Sequence, residues 1–224
     1  MEIVFDHVSK KIGKNLVIDD MSFKVDSHKI TGLKGINGSG KTMVMRLISG
    51  LIYASSGTVS IDGKVLGKDI AFPQSLGLLL ENPSFINKYT GYDNLRMLAD
   101  IRSTINEERI QEVMRIVGLE ENGKKKYKKF SLGMKQRLGI AAAIMERPQI
   151  ILLDEPTNAL DTDGVEMVKD IINTEKERGA TVVISCHDSE TLETLSDEII
   201  EIQSGKITRQ YMPKPKFEEN NYVI

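Results

Sequence analysis

The segment GINGSGKT, Gly35 to Thr42, places three glycines, a serine, a lysine and a threonine between an apolar run and a helical pattern. Glycines let successive backbone N–H groups turn inward around phosphate oxygens. A helix that follows brings its positive end to the same point. The spacing G-x-x-x-x-G-K-[ST] assigns Lys41 to the β- and γ-phosphates and the Thr42 hydroxyl to Mg²⁺. Candidate contacts to a nucleotide therefore run through Gly35, Ile36, Asn37, Gly38, Ser39, Gly40, Lys41, Thr42 and Met43. A second segment, IILLDEP from Ile150, is an apolar run ending in two carboxylates. It carries Asp154 to the edge of a sheet, where it can bind Mg²⁺ through water, and Glu155 beside it can act as base toward an attacking water.

These residues need a frame. Residues 2–26 alternate apolar and polar side chains, which predicts short antiparallel strands. Ile30 to Lys34 is a short strand that feeds the glycine loop, and Val44, Leu47, Ile48 and Leu51 recur at helical spacing behind it. Asp62-Gly63 between Val59, Ile61 and Val65 predicts a hairpin. Ser75 to Leu80 reads as a strand ending at Glu81-Asn82-Pro83. Three helical patterns follow: Asp93 to Arg102, a segment capped by Asn106 and ending at Gly118, and Leu132 to Glu146. The strand Ile150 to Leu153, a helix stopping at Gly179, the strand Thr181 to Ser185 and a closing hairpin around Ser204-Gly205 complete the chain. Continuous apolar strands separated by helices imply a mainly parallel sheet.

Composition sets the bounds. The chain has 224 residues, 40% hydrophobic and 28% charged, with a formal net charge of −2. That describes a soluble globular chain and excludes a general polyanion binder. The five lysines between Lys124 and Lys129 are read as a solvated loop, and no nucleic acid partner is expected. The single cysteine, Cys186, rules out an internal disulfide and reads as a small packing residue. Acidic residues at Glu2 and Asp6 interrupt any apolar leader. The apolar stretch from Leu138 to Leu153 is broken by Glu146, Arg147, Pro148 and Gln149, short of the about 18 residues a membrane span needs. A cytoplasmic protein that meets the membrane only through a partner is expected.

The two phosphate motifs do not choose between a kinase and a motor. FSLGMKQR, Phe130 to Arg137, does, because it resembles the LSGGQ signature of the ATP-binding cassette (ABC) transporter nucleotide-binding subunits. Ser131, Gly133 and Met134 stand at its second, fourth and fifth positions. Phe130, Leu132 and Met134 depart from it, yet a hydroxyl, a glycine and a helix N-terminus remain to face a γ-phosphate. The resemblance covers residues 2–208 or so. It implies an α/β fold with a P-loop NTPase core, a mainly parallel sheet, an N-terminal antiparallel β-subdomain and an inserted helical signature subdomain at about 84–146. The ATPase domain would span 1–210, with a short polar tail at 211–224.

The same resemblance implies roles for single residues. NALD, Asn158 to Asp161, resembles the loop that couples two protomers. His187 stands where the family keeps a histidine on the γ-phosphate. Glu81 takes the place of a glutamine that touches Mg²⁺ and the attacking water; Pro73-Gln74 looks similar but comes too early. Ile12 stands where an aromatic residue usually stacks on adenine. ATP and Mg²⁺ are the implied cofactors, and the Ser131 loop of one protomer would close on the ATP held by the Lys41 loop of the other. ENPSF with SLGMKQR is similar to the branch that exports bacitracin and lantibiotics, which implies a separate integral-membrane permease and a peripheral place on the inner face of the cell membrane. A soluble or regulatory ABC-type ATPase outside transport is the alternative.

Overall fold

In the computed structural model, which describes residues 1–122 and 125–213, the alternating N-terminal segment folds as strands β1 (Ile3–Ile12) and β2 (Asn15–Val25). They pair antiparallel, and β4 (Ser56–Ile61) joins the other edge of β1, with the short β5 (Lys64–Val65) beyond it, in the order β2-β1-β4-β5. Between β2 and β4 the chain makes β3 (Ile30–Lys34) and then helix α1 (Lys41–Ile48).

A six-stranded sheet carries the rest. Its order is β10-β9-β3-β8-β7-β6, built from β3 with β6 (Leu76–Leu79), β7 (Ile150–Asp154), β8 (Thr181–Ser185), β9 (Glu198–Gln203) and β10 (Lys206–Tyr211). All neighbours are parallel except β9 and β10, which form the closing hairpin. β7 is buried along its whole length. Its side chains alternate between two cores: Ile150 and Leu152 pack toward α1 and the antiparallel sheet, Ile151 and Leu153 toward the helices. That is the period of two expected of a strand covered on both faces.

Between β6 and β7 lies a helical unit of α2 (Gly91–Arg102), α3 (Glu107–Ile116) and α4 (Leu132–Ile144). Its ends are set by side chains. Thr90 and Asp93 cap each other's backbone N–H groups, so α2 begins before the apolar periodicity does. The Asn106 side chain caps α3 as expected, and the αL residue Gly118 follows it. The unit docks tightly on β6. A Cβ at Gly77 would collide with the Ala143 carbonyl of α4 and lie 2.7 Å from Pro148 Cγ. Helix α5 (Thr162–Glu177) stops before Gly179 as expected. A further helix, α6 (Ser189–Leu195), was not expected from the sequence; Asp188 caps it and only Leu192 and Leu195 are buried, too short a pattern to show periodicity.

The closing hairpin ties both sheets to the glycine loop. Gly205 N–H donates to the Ser39 carbonyl and Asp19 N–H donates to the Gly205 carbonyl, each at 2.8 Å. Lys124 in the lysine run, and the tail from residue 214 on, lie outside the described residues. Gly77→Ala is expected to destabilise the protein by about 1–3 kcal/mol, because the added methyl meets backbone and a proline ring rather than a movable side chain. Urea unfolding monitored by circular dichroism measures it; a wild-type midpoint would show that β6 and α4 separate at no cost.

Candidate nucleotide site

A cavity of about 650 Å³ opens where α1 starts. The glycine loop supplies Asn37, Gly38 and Gly40, and α1 supplies Lys41, Thr42 and Met43. Gly40 has φ 120°, a conformation open to glycine, and it lets the helix begin with its N–H groups facing the cavity. Lys41 Nζ donates to the carbonyls of Gly35 at 2.7 Å and Ile36 at 3.3 Å, so the loop folds back over its own lysine. Ser39 is buried and its hydroxyl has no hydrogen-bond partner among the described residues. The cavity itself is bounded by the start of α1 and Lys41, a helix N-terminus and a cation that suit an anion.

Asp154 and Glu155 enter from the end of β7. Asp154 is 4% exposed and accepts hydrogen bonds from the Thr42 and Ser185 hydroxyls, both at 2.5 Å. Glu155 follows in a left-handed conformation, φ 53°, which its neighbours hold: its N–H donates to Ser185 Oγ and its carbonyl accepts from Gln136 Nε2, both at 3.0 Å. Burial pushes the Glu155 carboxyl above the usual carboxylate range, while His187 and Lys41 pull it back. His187 Nε2 stands 3.8 Å from Glu155 Oε1, and Glu155 Oε2 is buried without a partner among the described residues. A carboxyl raised by burial, on the wall of the cavity and with one oxygen unpartnered among the described residues, is suited to take a proton from water.

Glu81 and Asn82 line the cavity from the end of β6. Glu81 also has a left-handed backbone, φ 57°, and Arg46 Nη2 of α1 donates to its carboxylate at 2.5 Å. Leu16, Val17, Ser204 and Gly205 form the opposite flank. Ile12 is not part of that lining; it is 49% exposed at the β1–β2 turn, paired with Asn15. Leu16 and Val17 reach the cavity because the closing hairpin draws β2 to the glycine loop, a contact without local sequence signal. Gln136 and Asn158 lay within segments already singled out, and the backbone contact of Gln136 to Glu155 gives it a place those motifs did not.

Ser131, Gly133 and Asp161 stand outside the cavity. Ser131 caps α4, accepting from the Met134 N–H at 3.2 Å, and Leu132 beside it is 70% exposed. A Cβ at Gly133 would lie 2.9 Å from the Ala159 carbonyl, so the signature loop packs against the NALD loop. Asp161 caps α5 and meets Arg137 at 3.4 Å.

A family model described as ABC transporter matches residues 18–158. The chain belongs to the ABC transporter family. Among curated relatives, the uncharacterized ABC transporter ATP-binding protein YybJ of Bacillus subtilis (strain 168) is 46% identical over 201 residues, 90% of this chain and 92% of the relative. The bacitracin transport ATP-binding protein BcrA of Enterococcus faecalis is 35% identical, across 94% of this chain and 70% of its own. The lantibiotic transport ATP-binding protein SrtF of Streptococcus pyogenes is 33% identical, across 97% and 96%. A solved ATP-binding subunit of an ABC transporter superposes with a TM-score of 0.86 at 25% identity, covering 95% of this chain and 90% of that one. The domain is an ABC ATPase cassette, and the expected architecture of an α/β core, an antiparallel N-terminal sheet and an inserted helical unit is the one observed.

In the cassette without nucleotide, the raised Glu155 carboxyl sets a pH dependence. Its folded pKa exceeds the ordinary 4.5, so between the two values the folded state holds more protons than the unfolded one. Stability is therefore lost as pH rises through that window and stays lost above it. Glu155→Gln is expected to melt higher than wild type at pH 8, with the difference closing as pH falls toward 4.5. Thermal unfolding across that range tests it, and a difference independent of pH would remove the burial penalty from Glu155.

Proposed function

We propose that this chain binds ATP in the cavity and hydrolyses it as one half of a dimer, driving export through a separate membrane permease. The observation that supports the dimer is a division of parts. Lys41, Thr42, Asp154 and Glu155 converge on one cavity, while Ser131 and Gly133 lie outside it, at the cap and first turn of α4. A second copy supplies the missing donors: the Ser131 hydroxyl and the start of α4 would meet the phosphates held by Lys41 of its partner. Asp161, beside Gly133 and Ala159, would couple the two sites.

Thr42 and Asp154 fit Mg²⁺, a hard cation that favours oxygen ligands, since a hydroxyl and a buried carboxylate already share one point. When bound, the ion supplies charge neutralisation on the phosphates. Glu81 would add an oxygen from the other side. Glu155 takes the proton of the attacking water, and His187 holds the far end of that carboxylate and faces the γ-phosphate. The base is met by Leu16 and Val17, an aliphatic surface in place of an aromatic one, with Ile12 left to the rim.

Among the described residues no helix is long and apolar enough to cross a membrane. In this reading the transport path belongs to a separate permease, and the cassette works on the cytoplasmic face. The relatives named for bacitracin and lantibiotic transport favour an antimicrobial peptide or drug as the exported molecule.

Glu155→Gln is expected to lower ATP turnover by about 10²–10⁴-fold while preserving binding, because the amide keeps size and hydrogen bonding but takes no proton. With ATP and Mg²⁺ the variant should elute as a dimer on size exclusion. A monomer at saturating ATP, in detergent with the permease present, refutes the two-cassette reading. At the base, Leu16→Ala should weaken ATP and GTP alike, by about 3-fold for the lost apolar contact, and Ile12→Tyr should change neither. Titration of both nucleotides reads this out, and tighter ATP binding by Ile12→Tyr would return the base to residue 12.

A further inference from the structure

Among the described residues that line the cavity, three are carboxylates, Glu81, Asp154 and Glu155, and Lys41 is the one cation. A triphosphate entering such a site meets more negative charge than positive before any metal is counted. The resemblance to the family implies a neutral glutamine at position 81, so one unit of that excess comes from the carboxylate there. Arg46 stands one helical turn beyond Thr42 on α1, and its guanidinium donates to Glu81 Oε1 at 2.5 Å. Glu81 is 62% exposed at its side chain and Arg46 34%. A pair so open to solvent adds little to folding stability. Its position is what distinguishes it: it joins the helix that begins at the phosphate loop to the residue that leads from β6 into the helical unit.

We propose that Arg46 is the positioning residue for Glu81. It holds the carboxylate against α1 and cancels its charge, which lets an acid occupy a neutral side chain's place beside the nucleotide. Removing Arg46 leaves Glu81 free to swing over the cavity with its charge exposed to the phosphates. Removing both restores the neutral arrangement. The pair therefore acts as a unit, and each member's loss depends on whether the other is present.

The test is a double-mutant cycle on nucleotide affinity, and it rests on the nucleotide reading of this cavity. Wild type, Arg46→Met, Glu81→Gln and the double variant are titrated with ATP in EDTA at low salt, so that neither turnover nor metal enters the readout. Arg46→Met is expected to weaken ATP binding about 10-fold, and the double variant to return within about 2-fold of wild type, a coupling typical of directly contacting charges. The Arg46→Met defect should shrink at high salt, because the repulsion is screened. Arg46→Lys, which keeps the charge, should bind within about 3-fold of wild type. Additive single effects, an unchanged Arg46→Met, or equal loss of thermal stability and affinity in the single and double variants would each overturn the proposal. Failure of wild type to bind ATP would instead overturn the nucleotide reading itself.

Discussion

A carboxylate taken out of water must recover its hydrogen bonds, and Asp154 recovers them from two separate elements. The Thr42 hydroxyl reaches it from the first turn of α1, and the Ser185 hydroxyl from the register-paired position of β8. Three elements are thereby fixed to one point. The parallel register of β7 on β8 brings Ser185 level with Asp154, and β3 on the other side of β8 aims the glycine loop at the same edge. Shifting β7 by one residue would turn Asp154 into a core and break both bonds. The sheet order and the chemistry are in this sense one constraint.

Two further carboxylates are placed by backbone rather than by burial. Glu81 and Glu155 each follow a strand of the large sheet, and each has a positive φ. For a residue with a Cβ this conformation costs about 1 kcal/mol or more. At Glu155 the cost is met by a fixed N–H and a fixed carbonyl, so the turn is held from both sides. At Glu81 the support comes through the side chain, from α1. The first arrangement is rigid; the second yields when its partner moves. A base is better served by the first, and a residue at the joint between the core and the helical unit by the second.

Legibility in the sequence followed the range of the interactions. GINGSGKT, the DE pair after an apolar run and the helix cap at Asn106 are local, and their spacing alone predicts their geometry. The strands of the parallel sheet were readable because both of their faces are covered, which leaves runs without polar interruption. Helix α6 was not, since one buried pair three residues apart makes no pattern. The flank made by Leu16 and Val17 was invisible for another reason. Nothing near residue 16 records that a hairpin almost 190 residues later will press it toward the glycine loop. Arg46 carries no local signal of its partner, and only the fold shows which acid it meets.

That late hairpin bears on how the protein is made. The Ser39 carbonyl takes its hydrogen bond from Gly205, so the phosphate loop is translated long before the residue that anchors it. A ribosome that has just released the glycine loop has still to synthesise β6 through β9, and with them Asp154, Glu155 and Ser185. The nascent chain can pair β1 with β2 early, since that hairpin closes over a two-residue gap. It cannot hold a nucleotide until the turn at Ser204-Gly205 has left the exit tunnel and closed over the loop. Contacts of such wide sequence separation are the slow ones to form. The cavity is thus completed only after that hairpin has been made, and a chain cut short before it carries the phosphate motif without a working site.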